Sequence, residues 1–448
     1  MHSEIFEKLP PTRLFFRCAV PAMVTMAFSV LYEIADGLFV GNFIGEDALA
    51  AVNLVMPFIM ILFSLSNLIA TDASVRISIL LGERNRAEAS KIFTFTLKVI
   101  FLAGVVIGLA SYFLAEPCIK LIARGATEQT IVYAIEYTRI FALFTPLMLI
   151  FYATDNYLRV CGKERFAMWL SVSMQILNVL LDVVLIVFLK KGVQAAALTS
   201  CISISLGAII ALIDFGGDRL PLYFTGGTIR TSDLVSIIAN SSSEFFSSIS
   251  VSIMSIVFNF FLLVYSGTAA VAAFSTIIYV DNIVANLALG INESLQPAIS
   301  YCYGAGLIRR VKSIFRRIVI GIIILYGFAF VFMMFASEYV VPLIVKPEQT
   351  ELLSLTIIGM RFFSLSYLFG WVDTCLSSYF TALERPARSM LSALFGTLII
   401  PIGSLFIMSN EYGITGVWLS AFLSSVVSAA FSFILYGTMK IRRKRRYK

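Results

Sequence analysis

Long apolar stretches alternate with short polar turns along this whole chain, and each stretch is about the length needed to cross a bilayer as a helix. The pattern predicts twelve spans, at roughly 16–42, 48–80, 93–115, 131–157, 166–188, 194–213, 234–265, 269–301, 314–336, 353–381, 389–409 and 414–437. One polar, glycine-rich segment, DFGGDRLPLYFTGGT, falls between the sixth and seventh spans and reads as a linker. The expected protein is therefore all-α and polytopic, with a six-helix lobe at 1–213, a linker at 214–233, a second six-helix lobe at 234–437 and a basic tail at 438–448. Pro21, Pro57 and Pro297 lie inside spans and predict kinks.

The two lobes are copies of one unit. At a constant shift of 222 positions, Ile77, Ser78, Gly82, Ile92 and Phe93 return as Ile299, Ser300, Gly304, Ile314 and Phe315. Gly45, Ala48, Ala50 and Ala51 return as Gly267, Ala270, Ala272 and Ala273, Tyr157 and Met168 as Tyr379 and Met390, and Arg139 as Arg361. Single matches mean little in a chain this rich in Ala, Ile and Ser, but clusters at one shift mean duplication. An even number of spans per copy makes the copies parallel in the membrane, as in secondary transporters built around a central site.

Composition agrees with the class: 59% of residues are hydrophobic and 14% charged, with a mean hydropathy of +0.90. Placing both termini inside puts 27 of the 34 Lys and Arg residues on the cytoplasmic side, including the tail KIRRKRRYK. The net charge of +7 is thus read as a topology signal, and no nucleic-acid partner is expected. The N-terminal segment shows no separate signal region with a cleavage site, so the first span is read as retained. The six cysteines follow no metal or disulfide spacing. His2 is the sole histidine, and neither a nucleotide-binding loop nor a nucleophile elbow occurs, so the reading is not an enzyme and any transport would draw on an ion gradient.

An acid at membrane depth costs at least about 2.5 kcal/mol on insertion scales, so it normally faces a cavity or a partner. The candidates are Glu33, Asp36, Asp72, Asp155, Asp182, Glu244, Asp281, Glu293 and Asp373. Asp36 and Asp182 rank first, because each has a polar neighbour one turn earlier on the same face, Tyr32 and Asn178. Both fall in the outer halves of helices running the same way, so they can meet. Two carboxylates in a poorly hydrated pocket cannot both ionise cheaply, which suits proton coupling. The repeat places Phe258 and Ser404 at the equivalent positions, so coupling is expected in the first lobe alone. The competing reading is that such acids only lock helix packing. Glu244 and Asp373 are second-lobe candidates for cation or substrate binding, with helix capping an equal reading for Glu244. Arg139 and Arg361 are read as snorkelling to the headgroups.

LYEIADGLFVGNFIGEDALAAVNLVMP in the first two spans, NVLLDVVLI with GVQAAALTS in the fifth and sixth, and SLQPAISYCYGAG closing the eighth resemble the multidrug and toxic compound extrusion transporters, over essentially the whole chain. SSSEFFSSIS followed by NFFLLVYSG resembles a bacterial branch of that family. The resemblance implies two six-helix lobes around a V-shaped cavity, alternating access, and antiport of organic, often cationic, compounds against H+ or Na+. It also implies a monomer in the bacterial inner membrane with no cofactor beyond the coupling ion. By the same comparison Asp36 and the Asn178 and Asp182 pair bear on cation coupling, Tyr32 and Ser200 line the pocket, and Asp155 stands where relatives carry a polar side chain, usually Asn. The alternatives are a flippase of lipid-linked saccharides or lipids, a membrane-embedded enzyme, and a receptor or structural bundle that binds without moving its ligand.

Overall fold

The computed structural model describes the chain except residues 1–4, 124, 218–219, 227–230, 346–348 and 440–448, and the side chains of 61, 62, 64, 65, 67, 68, 231–249, 343 and 344. The basic tail, His2 and the side chain of Glu244 thus lie outside the described residues. Everything described is helix or connection. Besides two short helices, Ile5–Lys8 and Ser337–Ile344, the long helices are α1 (Pro11–Phe39), α2 (Glu46–Gly82), α3 (Arg86–Ile122), α4 (Glu128–Val160), α5 (Glu164–Asp182), α6 (Val193–Phe215), α7 and α8 (231–266 and 268–304), α9 (Ile308–Phe335), α10 (Thr350–Ser364 and Tyr367–Ala382), α11 (386–412) and α12 (414–437). Two helical rods hide a break each: Thr231–Gly304 leaves helical geometry at Gly267, and Ile400–Gly437 at Gly413. Counted with those breaks, the long helices among the described residues form the twelve segments that hydropathy predicts.

Breaks fall where the backbone turns left-handed, and these turns repeat. Positive φ occurs at Gly45 and Gly267, at Arg84 and Gly306, and at Gly162 and Glu384, three pairs separated by 222 residues. Gly192 and Gly413 form a fourth pair, one residue out of step. Side-chain contacts repeat too. Phe93 meets Tyr157 with ring centroids 5.4 Å apart, and Phe315 stacks on Tyr379 at 4.1 Å. Glu116 pairs with Arg139, and Glu338 with Arg361, again at the same shift. The half-exposed arginines are therefore held by acids of their own chain.

Pro21, Pro57 and Pro297 are carried inside α1, α2 and α8, and non-helical backbone geometry falls at Gly267 and Gly413. Two expectations change. α10, expected as one span at 353–381, bends by 54° around Leu365 and Ser366. The linker is less open than its composition suggests: Leu222 is buried, Phe224 packs on Phe93, and the Tyr223 and Thr225 amides donate to Ser90 Oγ and Thr94 Oγ1 on α3.

The chain separates into two compact units, 1–9 with 24–237, and 10–23 with 238–448. In the first, α3 and α4 approach closely through a GxxxG pair: a Cβ on Gly104 would lie 2.7 Å from Pro146 Cα, and one on Gly108 2.5 Å from the Ala142 carbonyl oxygen. Asn85 caps α3 by accepting from the Glu88 amide, and Thr127 caps α4 while its hydroxyl and that of Thr130 both reach Asp47 on α2. In the second, Arg317 of α9 donates to Thr12 at the start of α1.

Candidate functional site in the first unit

Ser29, Tyr32 and Asp36 follow one another at intervals of three and four along α1, and Gln175, Asn178 and Asp182 do the same along α5. Each set therefore lies on one helix face. The two faces meet, with α6 closing the third side, and the polar groups form three rungs. Gln175 Nε2 donates to Ser29 Oγ at 2.8 Å. Tyr32 Oη and Asn178 Nδ2 both reach Ser200 Oγ, at 3.1 and 3.0 Å. On the third rung Thr199 Oγ1 donates to Asp182 Oδ1 at 2.6 Å, and the Asp36 and Asp182 carboxyls come within hydrogen-bonding reach of each other.

The site is nearly dry, with Asp36 6% exposed and Asp182 fully buried. Asp36 Oδ1, Asp182 Oδ2, Asn178 Oδ1 and Gln175 Oε1 are buried with no donor among the described residues. Burying unpaired acceptors costs free energy, and two facing carboxyls attract only if a proton or another cation lies between them. The arrangement is thus a set of oxygen acceptors suited to a shared proton or a small hard cation. Beyond each acid the helix loosens: α1 continues as the π-helical turn Val40–Ile44 and α5 as Val183–Phe188, and these two turns pack together.

Of the residues expected here, Asp36, Asp182, Asn178, Tyr32 and Ser200 come together. Asp155 does not join them: it accepts from Arg159 Nε at 2.9 Å and from Ser171 Oγ at 3.3 Å. Its own helix supplies a cation one turn away, and the two form an ion pair near the α4 end. Thr199, Ser29 and Gln175 were not anticipated. Continuing the polar face of α1 and α5 one turn back would have found the last two, whereas Thr199 stands beside Ser200 with no periodic signal.

The second unit builds a different site. Asp373, on the second piece of α10, accepts from Ser392 and Ser432 at 2.7 Å each. It borders a cavity of about 420 Å³, which Asp281 of α8 also lines, its carboxylate held by Tyr367 Oη at 2.7 Å. Gly396 faces Asp373 so closely that a Cβ there would lie 2.5 Å from Oδ2. Asp281 had been only one acid among nine in the sequence, because its tyrosine partner is remote along the chain.

An internally duplicated bundle of membrane helices with acids set among the helices of each half has the architecture of a secondary transporter. The MatE family model matches it twice, over residues 21–184 and 245–407, and the chain belongs to that family, the multidrug and toxic compound extrusion transporters. It is 23% identical over 96% of its length to the multidrug export protein MepA of Staphylococcus haemolyticus, covering 95% of that protein. To MepA of Staphylococcus saprophyticus it is 24% identical, with 98% of this chain and 96% of that one covered. Among solved structures, an outward-facing multidrug resistance MATE family transporter of the MOP superfamily superposes with a TM-score of 0.90 at 22% identity, covering 98% of each chain. The MATE solved in complex with MaL6 gives 0.89 at 21% identity over the same share of both chains.

Proposed function

We propose that this protein exports small organic compounds, cationic ones among them, across the bacterial cytoplasmic membrane in exchange for H+ or Na+. The observation that carries the reading is the facing Asp36 and Asp182 pair with its bare oxygens, supported by the MepA relatives, which are named multidrug export proteins. In this mechanism the entering cation binds between the two carboxyls and is bridged there by Asn178 and, through Ser200, by Tyr32. Loading removes the repulsion between the acids and favours one state of the carrier, while the organic substrate favours another. Exchange requires that difference in affinity between states open to opposite sides. Asp373 and Asp281 give the second lobe a cavity in which a cation or substrate would find two carboxylates, with Glu244 a further candidate. Both termini lie on the cytoplasmic side in this reading, the lobes run 1–213 and 234–437 joined by the 214–233 linker, and a monomer suffices.

The test is export of a fluorescent organic cation from proteoliposomes under an imposed H+ or Na+ gradient. Gradient-driven export that Asp36→Asn abolishes, with the variant inserted and folded, is the expected result. Undiminished export by Asp36→Asn would remove the pair from the mechanism, and no export under either gradient would turn the reading toward a lipid flippase.

A further inference from the structure

Glu33 is the acid of α1 that the Asp36 and Asp182 pair leaves unused. It stands four positions from the middle of the span expected at 16–42, about 6 Å at 1.5 Å per residue, well within the ~15 Å half-thickness of the hydrocarbon core. Its side chain is exposed. Asp155 is engaged by Arg159, Asp281 by Tyr367 and Asp373 by Ser392 and Ser432, whereas Glu33 has neither a hydrogen bond nor an ion pair among the described residues. A bare carboxylate at this depth is tolerated only on a surface that water or a cation reaches.

Helical phase tells which surface that is. Leu31, Ile34 and Leu38, each more than half exposed, recur at three and four residues and form an apolar stripe along α1. Around the helix axis Glu33 stands about 100–160° from that stripe, but only about 60° from Asp36 and about 40° from Ser29. Its carboxyl lies within electrostatic range of Asp36 and of Tyr152 on α4. Tyr152 is in turn packed against Phe63 of α2, with ring centroids 4.9 Å apart. An accessible acid beside an aromatic side chain of a neighbouring helix offers a flat organic cation two contacts, Coulomb attraction and cation–π. Asp36 and Asp182 offer neither space nor access for a ring system, being 6% and 0% exposed. Given the exchange proposed above, we propose that Glu33 takes the positive charge of the organic substrate, with Tyr152 against its rings, so that substrate and coupling ion use separate carboxylates of the first lobe. The two then oppose each other by repulsion between neighbouring sites on α1, and not by contest for one carboxylate.

The full chain is reconstituted in proteoliposomes, and export of ethidium, whose charge is permanent, is followed over a range of concentrations under the gradient that drives it. Glu33→Gln should raise KM about tenfold, the effect of losing one charge contact in a site of reduced dielectric, and leave the maximal rate within about twofold. Glu33→Asp, which keeps the charge, should recover most of the affinity. An unchanged KM in Glu33→Gln would overturn the proposal; so would a maximal rate lost as in Asp36→Asn, which would make Glu33 a coupling acid. Ethidium binding to the solubilised chain, read by fluorescence anisotropy with no gradient, separates this proposal from the exchange on which it rests. Binding weakened about tenfold in Glu33→Gln sustains it even where no gradient drives export. Equal binding by the two chains, or none by the natural chain, overturns it whatever the export assay gives. Should Glu33→Gln fail to fold, carbodiimide labelling of Glu33 in the natural chain, located by mass spectrometry, decides. Saturating ethidium should slow that labelling severalfold, and an unslowed rate would overturn the proposal.

Discussion

The two halves share a skeleton and differ in their chemistry. Left-handed turns, the aromatic pair between the third and fourth helices and the glutamate–arginine pair return at the same spacing in each. The acids do not. Where the first half places Asp36 the second has Phe258, stacked on Phe274 with centroids 4.4 Å apart along its cavity. Where the second places Asp373 the first has Phe151, packed against Gly207. Turns and helix ends are fixed by backbone geometry, which each copy must keep to fold; a polar side chain inside the bilayer persists only where a partner has been built for it.

The sharpest way to break this comparison is to neutralise the acids of one half at a time. Asp36→Asn and Asp182→Asn should each abolish gradient-driven export, whereas Gly396→Ala, which crowds Asp373 without removing its charge, should alter substrate affinity and leave coupling intact. Export ratios under the two gradients check this, and loss of coupling in Gly396→Ala would place the ion in the second half. A smaller effect is expected on stability. Gly108→Leu forces α3 away from the Ala142 carbonyl and should cost about 1–3 kcal/mol, while Gly327→Ala in α9, where a Cβ meets nothing within 4 Å, should be neutral or stabilising by up to about 1 kcal/mol. Denaturation of the two purified variants in the same detergent reads the difference. Thr199→Val removes the hydroxyl from Asp182 and should shift the half-saturating coupling-ion concentration by about tenfold, since a hydrogen bond to a charged group is worth about 1.5 kcal/mol or more. Smallest of all, Arg361→Gln should change stability by about 0–1 kcal/mol, because its pair with Glu338 is largely exposed.

Much of the site was legible because its two helices are each read correctly by periodicity. Asp36 with Tyr32, and Asp182 with Asn178, share faces that a 3.6-residue repeat reveals. Asp155 shows the limit of that reading. Its place in the family pattern recommended it although it lies near the inner end of its span, and Arg159, one turn further on the same face, donates to it. The bend in α10 was invisible for a related reason: no proline or glycine marks Leu365 and Ser366.

By itself the sequence determined the helical spans and the duplication, since hydropathy and spacing are properties of neighbouring residues. Only the tertiary structure decided which acids meet. Asp36 faces Asp182, Asp281 finds Tyr367, and the linker lies down on α3, because each of these partnerships depends on which helix faces come together, and that is set by packing between elements far apart along the chain.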